Sequence, residues 1–221
     1  VSPLGTSALL FDPPGETSLE TQRRIWALAR EAEGWPEVRE AVPGVNNLLL
    51  TLERPPARLE PLVDRLLAAW RAVEPLRLEG RVFELAVRYG GEEGPHLADV
   101  VAHTGLSVEE IVALHTAPLY PVFAIGSHPG YCYLGGMDPR LSTPRRKVPV
   151  VSIPAGSVSI GGGQTGVSAS AGPSGWNTIG RTAMVFFDPS LDPPIRVRPG
   201  DAIRFRVERL RPPIRPDGGR P

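Results

Sequence analysis

Between Gly126 and Thr182, small polar residues alternate with glycine: Ser157, Gln164, Thr165, Asn177, Arg181 and Thr182 stand among Gly156, Gly161, Gly162, Gly166 and Gly180. Hydroxyl, amide and guanidinium groups in such a setting suit hydrogen bonding to a small amide or carboxylate, because glycine lets a ligand come close to the backbone. Arg145 and Arg181 can each clamp a carboxylate through two parallel hydrogen bonds, although surface ion pairing is an equally ordinary use of arginine. For Gly156, Gly161, Gly162 and Gly166 the plain alternative is conformational, since tight barrel turns require positive φ.

Other constellations are weaker or absent. His128 and Cys132 lie four residues apart beside Pro129-Gly130, which raises the idea of an imidazole-activated thiolate. A loop holding Pro and Gly does not keep positions i and i+4 on one face, so a small buried apolar cysteine is the better expectation. The run GGGQTG at Gly161 to Gly166 lacks the following Lys-Ser/Thr of a phosphate loop. No H-E-x-x-H, paired C-x-x-C or G-x-S-x-G is present. His96, His103 and His115 fall at spacings that suggest satisfied, partly buried histidines rather than a metal site, so no metal is expected. No residue is singled out as catalytic.

The elements that must position these residues divide into two sets. Ser7 to Phe11, a helix opened by Thr17 and Glu20, Val38 to Val42, Asn47 to Leu52, a helix with Leu59, Leu62, Leu66, Leu67 and Trp70 on one face, and Arg81 to Tyr89 give the order βαββαβ. That order predicts a small ferredoxin-like sheet with two helices on one face, ending near Gly90-Gly91. Next comes a helical hairpin, Pro95 to His103 and Ser107 to His115, with Gly105 at the stop and Ser107/Glu110 as a capping box. It has the outline of a helix-turn-helix, but Val108-Glu109-Glu110 at the start of its second helix would repel DNA. Beyond Tyr120, short strands at Val122 to Ile125, Val148 to Ile153, Ser157 to Ile160, Thr182 to Phe187 and Ala202 to Val207 have the rhythm of a barrel or sandwich. The domains are therefore expected at 1–90 and 91–210, with a mobile proline-rich tail over 211–221.

Composition excludes several partner classes. The 221 residues carry 24 basic and 24 acidic side chains, so no overall field favours nucleic acid or an anionic membrane. Among the basic residues only Lys147 is a lysine, which speaks of genome composition or growth temperature more than of function. With Cys132 as the single cysteine there is no internal disulfide, and neither a membrane-length apolar run nor a signal-peptide pattern at Val1 to Leu10 is present. The cytoplasm is the expected location.

Three long motifs, PGYCYLGGMDPRLSTPRR (129–146), IPAGSVSIGGGQTG (153–166) and SGWNTIGRT (174–182), resemble the family of the bacterial 5-oxoprolinase B-type subunit, also described as allophanate hydrolase subunit 1 and as the Kip sporulation-kinase inhibitor family. The stretch FELAVRYGGEEGPHLADVVAHTGLSVEEIVALHTAPLYPV (83–122) is similar to it as well, and the order of elements from Ser7 to Leu52 follows it more loosely. The resemblance implies an α+β chain in which a small N-terminal domain precedes a cyclophilin-like β-barrel. It implies one component of an ATP-dependent 5-oxoprolinase that opens 5-oxoproline to L-glutamate with two partners, the C-type subunit and an A-type subunit resembling a lactam-utilisation protein. ATP, with magnesium, then belongs to the assembled enzyme and not to this chain alone. The alternative use of the family is inhibition of a sensor histidine kinase. Related domains inside urea carboxylase enzymes again point to amide-like small molecules.

Carried onto this sequence, the resemblance assigns the substrate pocket to Tyr133, Arg145, Ser157, Gln164, Thr165, Trp176, Arg181 and Thr182, on a backbone that includes Pro129, Gly130, Gly156 and Gly166. Arg145 and Arg181 orient an anionic group, Ser157, Gln164 and Thr165 bond an amide or carboxylate, and Tyr133 and Trp176 form an apolar wall. Alanine at Arg181 is then expected to abolish turnover. Two departures fall on the presumed rim: Gly126-Ser127-His128 where the family has Gly-Phe before its Pro-Gly, and Val167-Ser168-Ala169-Ser170 where an aromatic-proline pair follows QTG. They bear on substrate identity more than on fold.

Overall fold

The computed structural model describes residues 1–214, which divide into two compact units between Leu78 and Glu79. In the first unit, β1 (Ser2–Leu4), β2 (Ala8–Phe11), β3 (Val38–Pro43) and β4 (Leu48–Leu52) make an antiparallel sheet in the order β1-β2-β4-β3. Leu9 and Phe11, with Leu48, Leu50 and Leu52, alternate onto one buried face. Helices α1 (Leu19–Ala32) and α2 (Glu60–Ala72) supply Ile25, Leu28, Leu62 and Leu66 to the same core. The cap of α1 is Ser18 rather than Thr17: its Oγ accepts from Thr21 N at 3.0 Å, and the Asn46 side chain, itself at φ 52°, brackets the Ser18 backbone.

The second unit takes the strand that was expected to close the first. β5 (Val82–Tyr89) pairs in parallel with β13 (Ala202–Leu210) and antiparallel with β12 (Asn177–Thr182). The reason is its apolar face, because Leu85, Val87 and Tyr89 are buried in the core of the barrel. The sheet of the first unit instead gains β1 at its edge, so the βαββαβ order and a boundary near Gly90 do not describe the protein. The fold is nonetheless mixed α and β with a closed barrel of seven strands, β10-β7-β6-β13-β5-β12-β9. Its other members are β6 (Tyr120–Ile125), β7 (Cys132–Leu134), β9 (Ser157–Gly161) and β10 (Gln164–Val167), while β8 (Val150–Ile153) and β11 (Gly172–Ser174) form a separate two-stranded ladder.

Helices α3 (Leu97–Thr104) and α4 (Val108–Thr116) follow the expected hairpin closely. Gly105 stops α3 at φ 72°, and Ser107 and Glu110 exchange both bonds of a capping box. Their apolar sides, Leu97, Val100, Ile111 and Val112, are buried in the barrel core. The strand expected over Thr182 to Phe187 ends at Thr182, and only Phe187 returns to pairing, as a single bridge to Ile195. Of the expected tail, Arg211 N donates to Tyr89 O at 2.9 Å and Gly91 N donates to Pro212 O at 3.2 Å, which extends the β5–β13 seam. Residues 215–221 lie outside those described. No helix among the described residues is long and apolar enough to cross a membrane.

Candidate functional site

The three glycine-rich motifs meet where β7, β10 and the entry to β12 adjoin. Gly161 and Gly166 stand inside strands, not at turns, and their missing side chains serve close packing. A Cβ on Gly161 would lie 2.5 Å from the Trp176 ring, and one on Gly166 would lie 2.8 Å from both Tyr131 Oη and Cys132 O. Bare backbone thus seats two aromatic side chains against the barrel wall. Gly156 and Gly162, at φ 80° and 62°, are the conformational glycines; Gly162-Gly163 is the two-residue loop between β9 and β10. As a hairpin with no helix after it, this glycine run offers no helix N-terminus to a phosphate and is not built as a phosphate loop.

Tyr131, Tyr133 and Trp176 form an aromatic box. Ring centroids of Tyr131 and Tyr133 are 4.7 Å apart, and each lies 6.1 Å from Trp176. Arg145 closes one side, its Cζ 5.7 Å from the Trp176 ring centroid, within reach of a cation–π contact. Asn177 Nδ2 donates to Pro144 O at 2.9 Å and Arg146 N donates to Gly175 O at 2.7 Å, so the backbone is held on both sides of Arg145. Arg146 is further anchored by an ion pair with Asp99. The box and Arg145, with Ser127, His128, Ser168 and Ser174, enclose a cavity of about 190 Å³. Drug-sized ligands occupy roughly 300–1,000 Å³, so this cavity suits a smaller molecule. Burial, reinforced by Tyr133 and Cys132, raises the Tyr131 phenol well above the ordinary tyrosine range, which keeps it a hydrogen-bond donor.

The two departures from the family pattern prove to be partners. His128 Nε2 accepts from Ala169 N at 3.2 Å and from Ser170 N at 3.3 Å, and its ring meets Tyr131 edge-on at 5.2 Å. Two incoming donors require an unprotonated Nε2, and burial lowers the His128 pKa in keeping with that. His128 therefore ties the segment after β10 to the rim of the cavity. Replacing it with Phe keeps a ring but removes the acceptor of both bonds, and as the rim loosens the affinity of the cavity for a ligand is expected to fall by up to about 30-fold, the limit set by two net hydrogen bonds of about 1 kcal/mol each. His128→Gln, which keeps an acceptor, is expected to recover most of the loss in a titration of the assembled complex.

The other assigned residues lie elsewhere. Ser157 and Arg181 line a different cleft of about 490 Å³ that shares no lining residue with the aromatic box. Thr165 faces the barrel interior, where its hydroxyl meets His115 Nε2 at 2.9 Å and donates to Ser159 O at 3.1 Å. Thr182 is buried; its backbone N donates to Gly156 O, and its Oγ1 accepts from Met184 N. Gln164 is half-buried at the start of β10, opposite Gly161. Pro129 is exposed, while Gly130, at φ 81°, is packed against Ala169 and Phe187. Of the eight substrate-binding assignments, the structure joins Tyr133, Arg145 and Trp176 in one cavity.

Of the lining residues outside the sequence assignment, Tyr131 and His128 make the most of the site. Tyr131 and Tyr133, at i and i+2, flank the single cysteine, a spacing that puts both on one face of a strand. His128 was weighed as a partner for Cys132 and as part of the rim departure at Gly126-Ser127-His128, not as a pocket residue. That thiol is buried, makes a contact to Gly130 O at 3.4 Å, and is pushed up to about 12 by desolvation, so it is not a nucleophile at neutral pH. Among the described residues no cluster of three or more His, Cys, Asp or Glu side chains forms a metal site.

Comparison with known proteins gives the site a context. Residues 1–197 match the family described as carboxyltransferase domain, subdomain C and D. The chain is 44% identical over 202 residues to the B-type subunit of 5-oxoprolinase from Escherichia coli O157:H7, covering 91% of this chain and 93% of that protein. It superposes on the crystal structure of TTHA0988 with a TM-score of 0.72 at 34% identity, over 97% of this chain and 41% of that one, so it spans about two fifths of that protein. The Kluyveromyces lactis urea carboxylase gives a TM-score of 0.74 at 18% identity, over 91% of this chain and 21% of that one, a likeness of fold alone.

Proposed function

Because this chain belongs to the family of the 5-oxoprolinase B-type subunit, we propose that it seats the substrate of an ATP-dependent 5-oxoprolinase, which opens 5-oxoproline to L-glutamate together with the C-type subunit and an A-type subunit of the lactam-utilisation kind. The observation that supports this reading most directly is the small aromatic box closed by Arg145. A five-membered lactam is small enough to pack against the wall formed by Tyr133 and Trp176, and its carboxylate suits the Arg145 fork. Tyr131, kept protonated by burial, donates to the lactam carbonyl.

The chemistry that remains is supplied from outside this chain. A lactam amide is stabilised by resonance, so ring opening needs its carbonyl activated, and ATP provides that at the level of the assembled enzyme. This chain binds the ring, fixes its orientation through Arg145 and Tyr131, and excludes water from the side walled by Trp176. The test is glutamate release from 5-oxoproline and ATP by the two candidate partner proteins, with and without this chain. Release that depends on this chain is the expected result. Equal release without it, or none from a folded and complete mixture, overturns the proposal.

A further inference from the structure

We propose that the cleft of about 490 Å³ between the start of α3 and β8 is a second small-molecule site, built for a free α-amino acid and separate from the aromatic box. His96 is its central residue. The residue is only 9% exposed, its Nδ1 accepts from Thr178 N at 2.9 Å, and its own N donates to Thr178 O at 3.0 Å, so the ring is pinned to β12. An accepting Nδ1 leaves the proton on Nε2. Among the described residues no hydrogen-bond partner accompanies Nε2, so this donor is available to the cleft that His96 lines.

Arg181 adds the second donor. Its Nε is used by Ala155 O at 2.9 Å, which fixes the guanidinium and leaves the terminal nitrogens for a ligand carboxylate. The acceptors differ in their commitments. Glu93 is paired with Arg88 at 2.8 Å, and Ser157 Oγ donates to Pro154 O at 2.7 Å, whereas Glu92 makes no ion pair among the described residues. A cleft offering two fixed donors and one uncommitted carboxylate is matched by a molecule that carries a carboxylate and an ammonium group together. A dicarboxylate without the amine would leave Glu92 facing like charge. Pro95, Ile153 and Pro154 provide an apolar wall for the methylene groups of the side chain.

This second site does not depend on the proposed lactam reaction, and its test uses binding alone. The full chain is titrated calorimetrically with L-glutamate and, separately, with glutarate. Saturable binding of L-glutamate at millimolar or lower concentration, at least tenfold tighter than glutarate, is expected. Arg181→Gln should weaken L-glutamate by about tenfold or more, Glu92→Gln should erase the preference over glutarate, and Trp176→Ala should change neither. In the unmodified protein, L-glutamate should also shift the ring resonances of His96, a readout that needs no variant to fold. Absence of saturable binding, binding indifferent to both cleft substitutions, or binding lost with Trp176→Ala while His96 stays unshifted would overturn the proposal.

Discussion

Arg145→Ala is expected to raise the KM for 5-oxoproline in the assembled enzyme by about 10- to 100-fold while kcat changes by less than about threefold. The size follows from charge-assisted pairing, and the kinetic signature follows from where the guanidinium stands. Arg145 flanks Trp176 and lines the cavity, and in the proposed binding mode it meets a carboxylate that keeps its charge throughout ring opening. Such a contact is the same in the ground state and the transition state, so its loss appears in KM. Lysine keeps the charge but not the fork, and Arg145→Lys should fall between the two. Arg181→Ala is expected to leave KM within about twofold, since Arg181 lines a different cleft. A steady-state series on the three variants decides the matter: equal effects of Arg145→Ala and Arg181→Ala, or a loss confined to kcat, would remove Arg145 from the role given to it.

That contrast also measures how far the sequence reaches. Residues whose partners are near in the chain were legible, as with the Ser107/Glu110 box and the Gly105 stop, where helix ends depend on three or four neighbours. The partner of β5 was not legible, because its apolar face suits a four-stranded sheet and a barrel equally, and the choice is made by β13, which begins more than a hundred residues later. The glycines misled for a related reason. Gly161 and Gly166 share the composition of turn glycines, yet what they make room for is Trp176 and Tyr131, contacts formed only after β9, β10 and β12 are side by side. The motifs did mark the region of the candidate cavity. Strand alternation then sends Thr165 inward and leaves Arg181 and Tyr133 in separate places, and a contiguous motif cannot show that division without the register.

The inward-facing Thr165 leads to the second large effect, an acid limb of stability centred on His115. This imidazole is fully buried against Tyr120 and Phe205, and desolvation lowers its pKa from 6.5 to about 3. Its neutral form is satisfied throughout. Because Thr165 donates to Ser159 O, it must accept from His115 Nε2–H, which leaves His115 Nδ1 to accept from Tyr89 Oη at 2.8 Å. The sign follows from the two pKa values. Above about pH 6.5 the ring is neutral whether the chain is folded or unfolded, and its contribution is fully present; between 6.5 and about 3 the unfolded chain binds a proton that the folded one refuses. Stability is then lost at up to about 1.4 kcal/mol per pH unit as pH falls, from this residue alone. Buried His96 and half-buried His128 are also shifted downward and add to the same limb, so the measurement is a difference. Urea unfolding at pH 7 and pH 5 should show His115→Gln destabilised at pH 7 by about 1–3 kcal/mol through the unsatisfied network, yet losing about 2 kcal/mol less than the unmodified protein on acidification. In the unmodified protein the His115 ring should remain neutral, with its proton on Nε2, at pH 5 by nuclear magnetic resonance. A ring that charges near pH 6.5 in the folded state, or equal acid losses in the two proteins, would show that the barrel interior does not exclude the proton.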